Sequence, residues 1–213
     1  MGYNYFGMIE DLYCSKISFF KPIVIRFDAE NITKNKEFNI LDVSIGDFAY
    51  ALINTARVLS ETYKTYVFCS TDEIDLIFIN DTFLHKRFKN RKTQRISSIM
   101  SQTLSEVFHS FYKKNKIYFD AKTFNIPMEK VYSYIEYRQK SAFCVNTTYL
   151  AKRNLRKSDY VNIPLSMITQ KLNEYVPYIN KDYQYFQKGI LYLNGHLIQL
   201  DDYLAKNQIM IID

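Results

Sequence analysis

The sequence predicts an α+β protein built on an antiparallel sheet with helices packed on one face. Three observations lead there. Segments of strand and helix character follow one another as strand, helix, hairpin, helix, strand, helix. That order suits antiparallel pairing and not the alternation of a doubly wound parallel sheet. Neither G-x-G-x-x-G nor G-x-x-x-x-G-K-[ST] occurs, so the glycine-rich phosphate cradles of Rossmann and P-loop proteins are absent. Finally, 47% hydrophobic residues against 23% charged ones suffice for a large core and exclude a disordered chain.

The elements follow in order. In "KPIVIRFDAEN" an apolar run from Ile23 to Phe27 begins after Pro22 and closes on Asp28, which reads as a short buried strand. From Asp47 to Thr62, residues Phe48, Leu52, Ile53, Ala56 and Leu59 recur at helical spacing. "YVFCSTDEIDLIFI", Tyr66 to Ile79, places an acidic turn between two apolar runs and reads as a hairpin. Between Phe88 and Lys113 an apolar stripe of Ile96, Met100, Leu104, Val107 and Phe111 predicts a helix, entered through the basic "HKRFKNRKTQR". "IYFDAKTFNIP" is a further strand, closed by Pro127, and "MEKVYSYIEYRQKSAFCVNTTYLAKRNL" a long helix with Val131, Ile135 and Ala142 on one side. Beyond Lys157 the chain is tyrosine-rich, with a short helix from Leu165 to Tyr175. The last hairpin turns at Asn194-Gly195, the strongest short hairpin dipeptide. Without repeats or a low-complexity linker, a single domain over 1–213 is expected, with a core over about 20–127 and a helix-and-hairpin extension over about 128–213.

Composition narrows the chemistry. Cys14, Cys69 and Cys144 are widely spaced and form no C-x-x-C pair, and His85, His109 and His196 lack metal-ligand spacing. A disulfide framework and a cysteine-based zinc site are therefore excluded. No leader pattern and no run of membrane-spanning length is present, so a soluble cytoplasmic protein without membrane association is expected. The formal charge of +6 favours a polyanionic partner such as nucleic acid or nucleotide phosphates.

In such a sheet the first strand and the hairpin can be neighbours, which would aim Asp28 and Asp72 at one edge. Two carboxylates and a backbone carbonyl suit Mg²⁺, which takes hard oxygen ligands and leaves positions for water and phosphate. Two ions about 3.5–4 Å apart would activate a hydroxyl and neutralise a pyrophosphate leaving group, as in the palm of nucleotide polymerases and cyclases. The spacing equally allows Asp28 to end a strand and Asp72 to form an Asx turn.

"IRFDAENIT", then "STDEIDLIF", then "FDAKTFNIPMEKVYSYIEYRQ" resemble, in order and at the right separations, the motifs of the tRNA-His guanylyltransferases and their relatives, the 3′-5′ RNA polymerases. The resemblance runs from about Gly7 to Gly189. It implies a polymerase/cyclase-like palm and a metal-dependent nucleotidyltransferase that adds nucleotides to the 5′ end of RNA. Asp28 and Asp72 match the metal-binding aspartates, Ala29 stands for a glycine whose carbonyl touches metal, and Glu73 matches a supporting acid. Asp28, Ala29, Glu30, Asn31, Ile32 and Thr33 match a loop whose backbone amides hold triphosphate. Asp47, Thr71 and Asp72 are implied near the nucleotide, as are Arg91, Lys92 and Arg95 of "RKTQR" as phosphate binders.

The resemblance further implies two Mg²⁺ ions, GTP or ATP as substrate, tRNA or a tRNA-like RNA as partner, and a homodimer or homotetramer. "VNTTYLAKRNLRK" offers Asn146, Lys152, Arg153, Arg156 and Lys157 as a basic helical RNA surface. The chain departs from the pattern at Ser44, where the family carries a lysine that helps activate the RNA 5′ end. It departs again at "FCVN", Phe143 to Asn146, where a tRNA-recognising histidine is replaced. These departures keep two alternatives open: a palm enzyme that releases a small nucleotide product, and a catalytically inactive nucleotide- or RNA-binding relative.

Overall fold

A computed structural model describes residues 17–30, 47–79, 83–88, 92–114, 116–175 and 188–199. Its first unit is β1 (Ile23–Ala29), α1 (Asp47–Tyr63), β2 (Tyr66–Ser70), β3 (Glu73–Phe78), the short α2 (Phe83–Arg87), α3 (Thr93–Phe111) and β4 (Phe119–Asn125). The long α4 (Val131–Asn154), α5 (Leu165–Tyr175) and the hairpin β5 (Ile190–Leu193) and β6 (His196–Ile198) complete it. All pairings are antiparallel, in the order β4-β1-β3-β2-β5-β6. Its first four strands have the split-βαβ arrangement, with β3 inserted between β1 and β2. The final hairpin widens that sheet by pairing β5 with β2.

The strands alternate, and each face builds its own core. Ile23, Ile25 and Phe27 of β1 and Ile74, Leu76 and Phe78 of β3 pack with Phe48, Leu52, Ala56 and Leu59 of α1 and Ile96, Met100, Leu104 and Phe108 of α3. Phe108 centres this layer, with ring centroids 5.4 Å from Phe48, 5.2 Å from Tyr112 and 5.1 Å from Phe119. Aromatic clusters of this kind add to the area they bury by favourable edge and offset contacts. On the opposite face Val24, Ile77 and Phe124 meet Val131, Tyr134, Ile135 and Ala142 of α4.

The antiparallel α+β architecture expected from the sequence is thus present, but helices cover both faces and not one. The reason is the division of labour within α4. Its first half lies on the sheet, whereas Leu150 and Ala151 in its second half pack on Ile168 and Leu172 of α5. Two partners on different sides blur the single apolar stripe by which a surface helix is recognised. Among the described residues no helix is long and apolar enough to cross a membrane.

Candidate active site

Strand β1 runs two residues past the predicted end, so Asp28 lies within it, opposite Glu73 of β3 and Asp120 of β4. Alternation puts Arg26 and Asp28 on the α4 face, with Glu73 and Asp75 beside them. Two residues, Thr71 and Asp72, join Ser70 to its partner Glu73. The Ala29 amide donates to the Asp72 carbonyl at 3.0 Å, tying the end of β1 to this turn. Asp28 and Asp72 are thereby brought to one end of the sheet.

The electrostatics record that convergence. Asp72 is pushed up to about 7, first by burial and then by the negative charges of Glu73 and Asp28. Loss of water and the neighbouring Glu73 also raise Asp28, against the opposing pull of Arg26 and Arg138. Such a pair, raised despite the nearby guanidiniums, gains from a cation between its members. Two carboxylates of this kind fit a divalent ion that leaves its other positions to water and phosphate. Among the described residues no group of three or more His, Cys, Asp or Glu side chains is placed to hold a metal.

Glu73 is placed differently from its neighbours. One carboxylate oxygen accepts from Arg26 and the other from Arg138. Burial alone would raise its pKa, but the two guanidiniums outweigh that and hold it below the usual range. Arg138, almost wholly buried, also donates from Nε to Asp75 at 2.8 Å, and the Tyr134 hydroxyl donates to Asp75 at 3.1 Å. Burial works against the Arg138 charge, yet Asp75 and Glu73 keep it well above its ordinary value. Behind the two aspartates therefore lies a buried network of Arg26, Glu73, Asp75, Tyr134 and Arg138. The sequence reading gave none of these a role except Glu73. A signal was available, because Glu73 and Asp75 share a strand face while Tyr134 and Arg138 stand one helical turn apart.

Other expected residues divide into those near this end of the sheet and those away from it. The Ala29 amide is taken by Asp72, and the Glu30 amide donates to the Tyr118 carbonyl at 2.9 Å. Neither is therefore available to triphosphate in the way the resemblance implies; Asn31, Ile32 and Thr33 lie outside the described residues, as does Ser44. Asp47 opens α1 and forms an exposed ion pair with Lys114 at 2.5 Å.

Lys92 and Arg95 are exposed at the start of α3, and Arg91 lies outside the described residues. Later in α3, Ser97 bonds Thr123 and Ser101 bonds the Phe119 carbonyl. The helix therefore starts toward the β4 end farther from Asp28, and Lys92 and Arg95 do not join the carboxylates. Lys152, Arg156 and Lys157 are exposed beyond the stretch of α4 that crosses the sheet, whereas nothing is described of the Arg153 side chain. Asn146 differs from the expectation: at 5% exposure it does not lie on the outer surface, and it accepts from Thr71 of the turn instead.

The sheet thus has a split-βαβ, palm-like arrangement, with one aspartate on its first strand and another in the adjoining hairpin turn. Solved structures share this fold. A bacterial tRNA(His) guanylyltransferase-like protein in complex with ATP aligns at TM-score 0.69 and 19% identity, over 89% of this chain and 87% of that one. The bacterial guanylyltransferase-like protein in complex with GTP aligns at 0.64 and 19%, covering 89% and 83%. The tRNA(His) guanylyltransferase of Saccharomyces cerevisiae aligns at 0.61 and 17%, covering 91% and 94%. No protein-family model and no curated protein matches the sequence. The chain has the fold of the tRNA(His) guanylyltransferases.

Proposed function

We infer that this protein is a divergent relative of the tRNA(His) guanylyltransferases, a metal-dependent nucleotidyltransferase that adds nucleotides to the 5′ end of RNA. The observation that carries the reading is the convergence of Asp28 and Asp72 at the end of a palm sheet, with Asp72 pushed up to about 7 by burial and by its acidic neighbours. Bound between them, Mg²⁺ would supply charge neutralisation for the triphosphate and lower the pKa of an attacking hydroxyl. The residues of the chain do the rest. Asp28 and Asp72 would hold the ions, and the Ala29–Asp72 backbone bond ties their two segments together. Glu73, its oxygens already on Arg26 and Arg138, fixes the hairpin and is not itself a ligand. The 3′-hydroxyl of an incoming nucleoside triphosphate attacks an activated 5′ phosphate, and pyrophosphate leaves when that end is a triphosphate. Lys152 near the end of α4, and Arg156 and Lys157 just beyond it, offer the phosphate backbone its positive surface.

The test is incorporation of labelled GTP or ATP into 5′-triphosphorylated RNA with Mg²⁺. Asp28→Asn and Asp72→Asn should each lower incorporation by about 10²–10³-fold, the range seen when a group stabilising transition-state charge is removed. Unchanged incorporation in both variants would end the metal assignment.

The inward placement of Asn146 favours a second reading. The helix segment that meets tRNA in the family does not present this side chain to RNA here. A palm enzyme releasing a small nucleotide product is separated from the first by incubating the protein with each triphosphate without RNA. A low-molecular-weight product would select it.

A further inference from the structure

We propose that Asn146 of α4 is a positioning residue that holds the Thr71–Asp72 turn, and with it the Asp72 carboxylate, in its metal-binding geometry. The inference rests on the metal-binding reading above for its purpose, but its geometry stands alone.

Thr71 has φ +56°, the left-handed region that a β-branched residue rarely enters. It is the first central residue of a two-residue hairpin loop, and Asp72 after it has no positive φ. In turns of that shape glycine normally takes this place. A threonine persists there only where its surroundings hold it. The surroundings are visible. The Thr71 hydroxyl donates to Asn146 Oδ1 at 3.1 Å, and Ser70 Oγ lies 3.2 Å from Thr71 Oγ1. With Thr71 donating to Asn146, Ser70 donates to Thr71, giving one directed chain from strand to helix. Asn146 is buried at 5% exposure, so water does not substitute for it readily. Two turns earlier on the same helix Arg138 grips Glu73 and Asp75. Helix α4 therefore holds the hairpin at two points, one on the strand and one on the turn. The Asp72 carbonyl that receives the Ala29 amide sits directly after the turn hold.

The experiment uses the full chain and two independent readouts. The first is hydrogen exchange of the Ala29 amide, normalised to the amide of Ile25 in the same strand so that a global loss of stability cancels. The second is Mn²⁺ affinity, as a spectroscopically visible stand-in for Mg²⁺. Asn146→Ala should speed Ala29 exchange by at least about tenfold and weaken Mn²⁺ by about 10–100-fold, as for partners that orient metal ligands. Thr71→Val, which keeps the shape and removes the hydroxyl, should do the same, and the double variant should add little to either. Thr71→Ser, which keeps the hydroxyl, should stay near wild type in both readouts. Unchanged normalised exchange and Mn²⁺ affinity in Asn146→Ala and Thr71→Val would overturn the inference. If the wild-type protein binds no Mn²⁺, the metal reading fails, and the exchange ratios alone decide whether Asn146 positions the turn.

Discussion

Two hairpins of one sheet turn through two residues each, and they solve the same problem with opposite chemistry. The β5–β6 turn uses Asn194 and Gly195, at φ +52° and +80°, residues that enter the left-handed region at low cost. The β2–β3 turn uses Thr71 at φ +56° followed by Asp72, which is half-buried beside two other acids. Among the described residues the Gly195 amide donates to Ser60 Oγ at 3.2 Å. The Thr71 turn is held by Ser70, by Asn146, by the Ala29 amide and, one residue on, by two arginines. Strain and like charge gather in one hairpin while the other is relaxed. That asymmetry is what a site with a task to perform looks like, since strained geometry survives only where the surroundings over-determine it.

The largest expected effect tests the support beneath the strained hairpin. Arg138→Met leaves Asp75 without its buried guanidinium and Glu73 with Arg26 alone. Removing one member of a buried ion pair costs about 3–5 kcal/mol, so the urea midpoint should fall accordingly. A second variant, Arg138→Met with Asp75→Leu, replaces both partners by apolar groups and should recover a large part of that loss. Equal midpoints for the single and double variants would show that the network contributes little. No substitution at Asn194 or Gly195 should approach the single variant's loss, because no buried charge depends on that turn among the described contacts.

The same contrast explains how much of the molecule was legible beforehand. The Asn194-Gly195 hairpin was read correctly because a local dipeptide dictates it. Helices α1 and α3 are legible because each buries one stripe in one continuous core layer. Helix α4 was recognised as a helix, but its place on the second face was not. Its apolar residues serve the sheet first and α5 afterwards, and no single period reports that. Asp28 and Asp72 were legible as a candidate pair because each stands at the edge of an apolar run. The network behind them was not, since Asp75 and Arg138 meet across 63 positions of sequence and only the packing of α4 brings them together. In sequence Asn146 resembles a surface residue because it opens the polar and basic run "NTTYLAKRNLRK". What decides its burial is the turn it touches, not its neighbours.

An intermediate effect concerns charge. In metal-free protein Asp28 and Asp72 have pKa values above those of the unfolded chain, Asp72 at about 7 against an ordinary 3.8. The folded state then binds more protons than the unfolded state across that interval, so their contribution to stability is present at low pH and is lost as pH rises. Glu73, held below its usual range, contributes in the opposite sense at lower pH. The melting temperature of the metal-free protein should therefore decline as pH rises through about 7. Mg²⁺ should restore it on the alkaline side, and Asp72→Asn should flatten the decline. A flat profile in the wild type without metal would mean that neither burial nor the neighbouring acids raise these two carboxylates. The Asn194–Gly195 turn carries no such charge, and its substitution should leave the profile's shape unchanged.

The smallest effect compares the backbones of the two turns directly. Gly195→Ala forces a side chain into φ +80°, where its Cβ would also stand 3.0 Å from the Glu61 Cβ. The left-handed conformation costs an L-residue about 1–2 kcal/mol, so the unfolding free energy should fall by that amount, read as a lower denaturation midpoint with an unchanged slope. Thr71→Gly makes the reciprocal change. It releases a similar cost, but it also gives up the hydrogen bonds to Ser70 and Asn146 and admits more freedom into the unfolded chain. The opposing terms should leave stability within about 1 kcal/mol of wild type. If Thr71→Gly instead destabilises as much as Gly195→Ala, the left-handed threonine carries no strain to release, and the two turns differ in charge alone. If it stabilises while Mn²⁺ affinity falls, the strain at Thr71 is the cost of holding Asp72 in place.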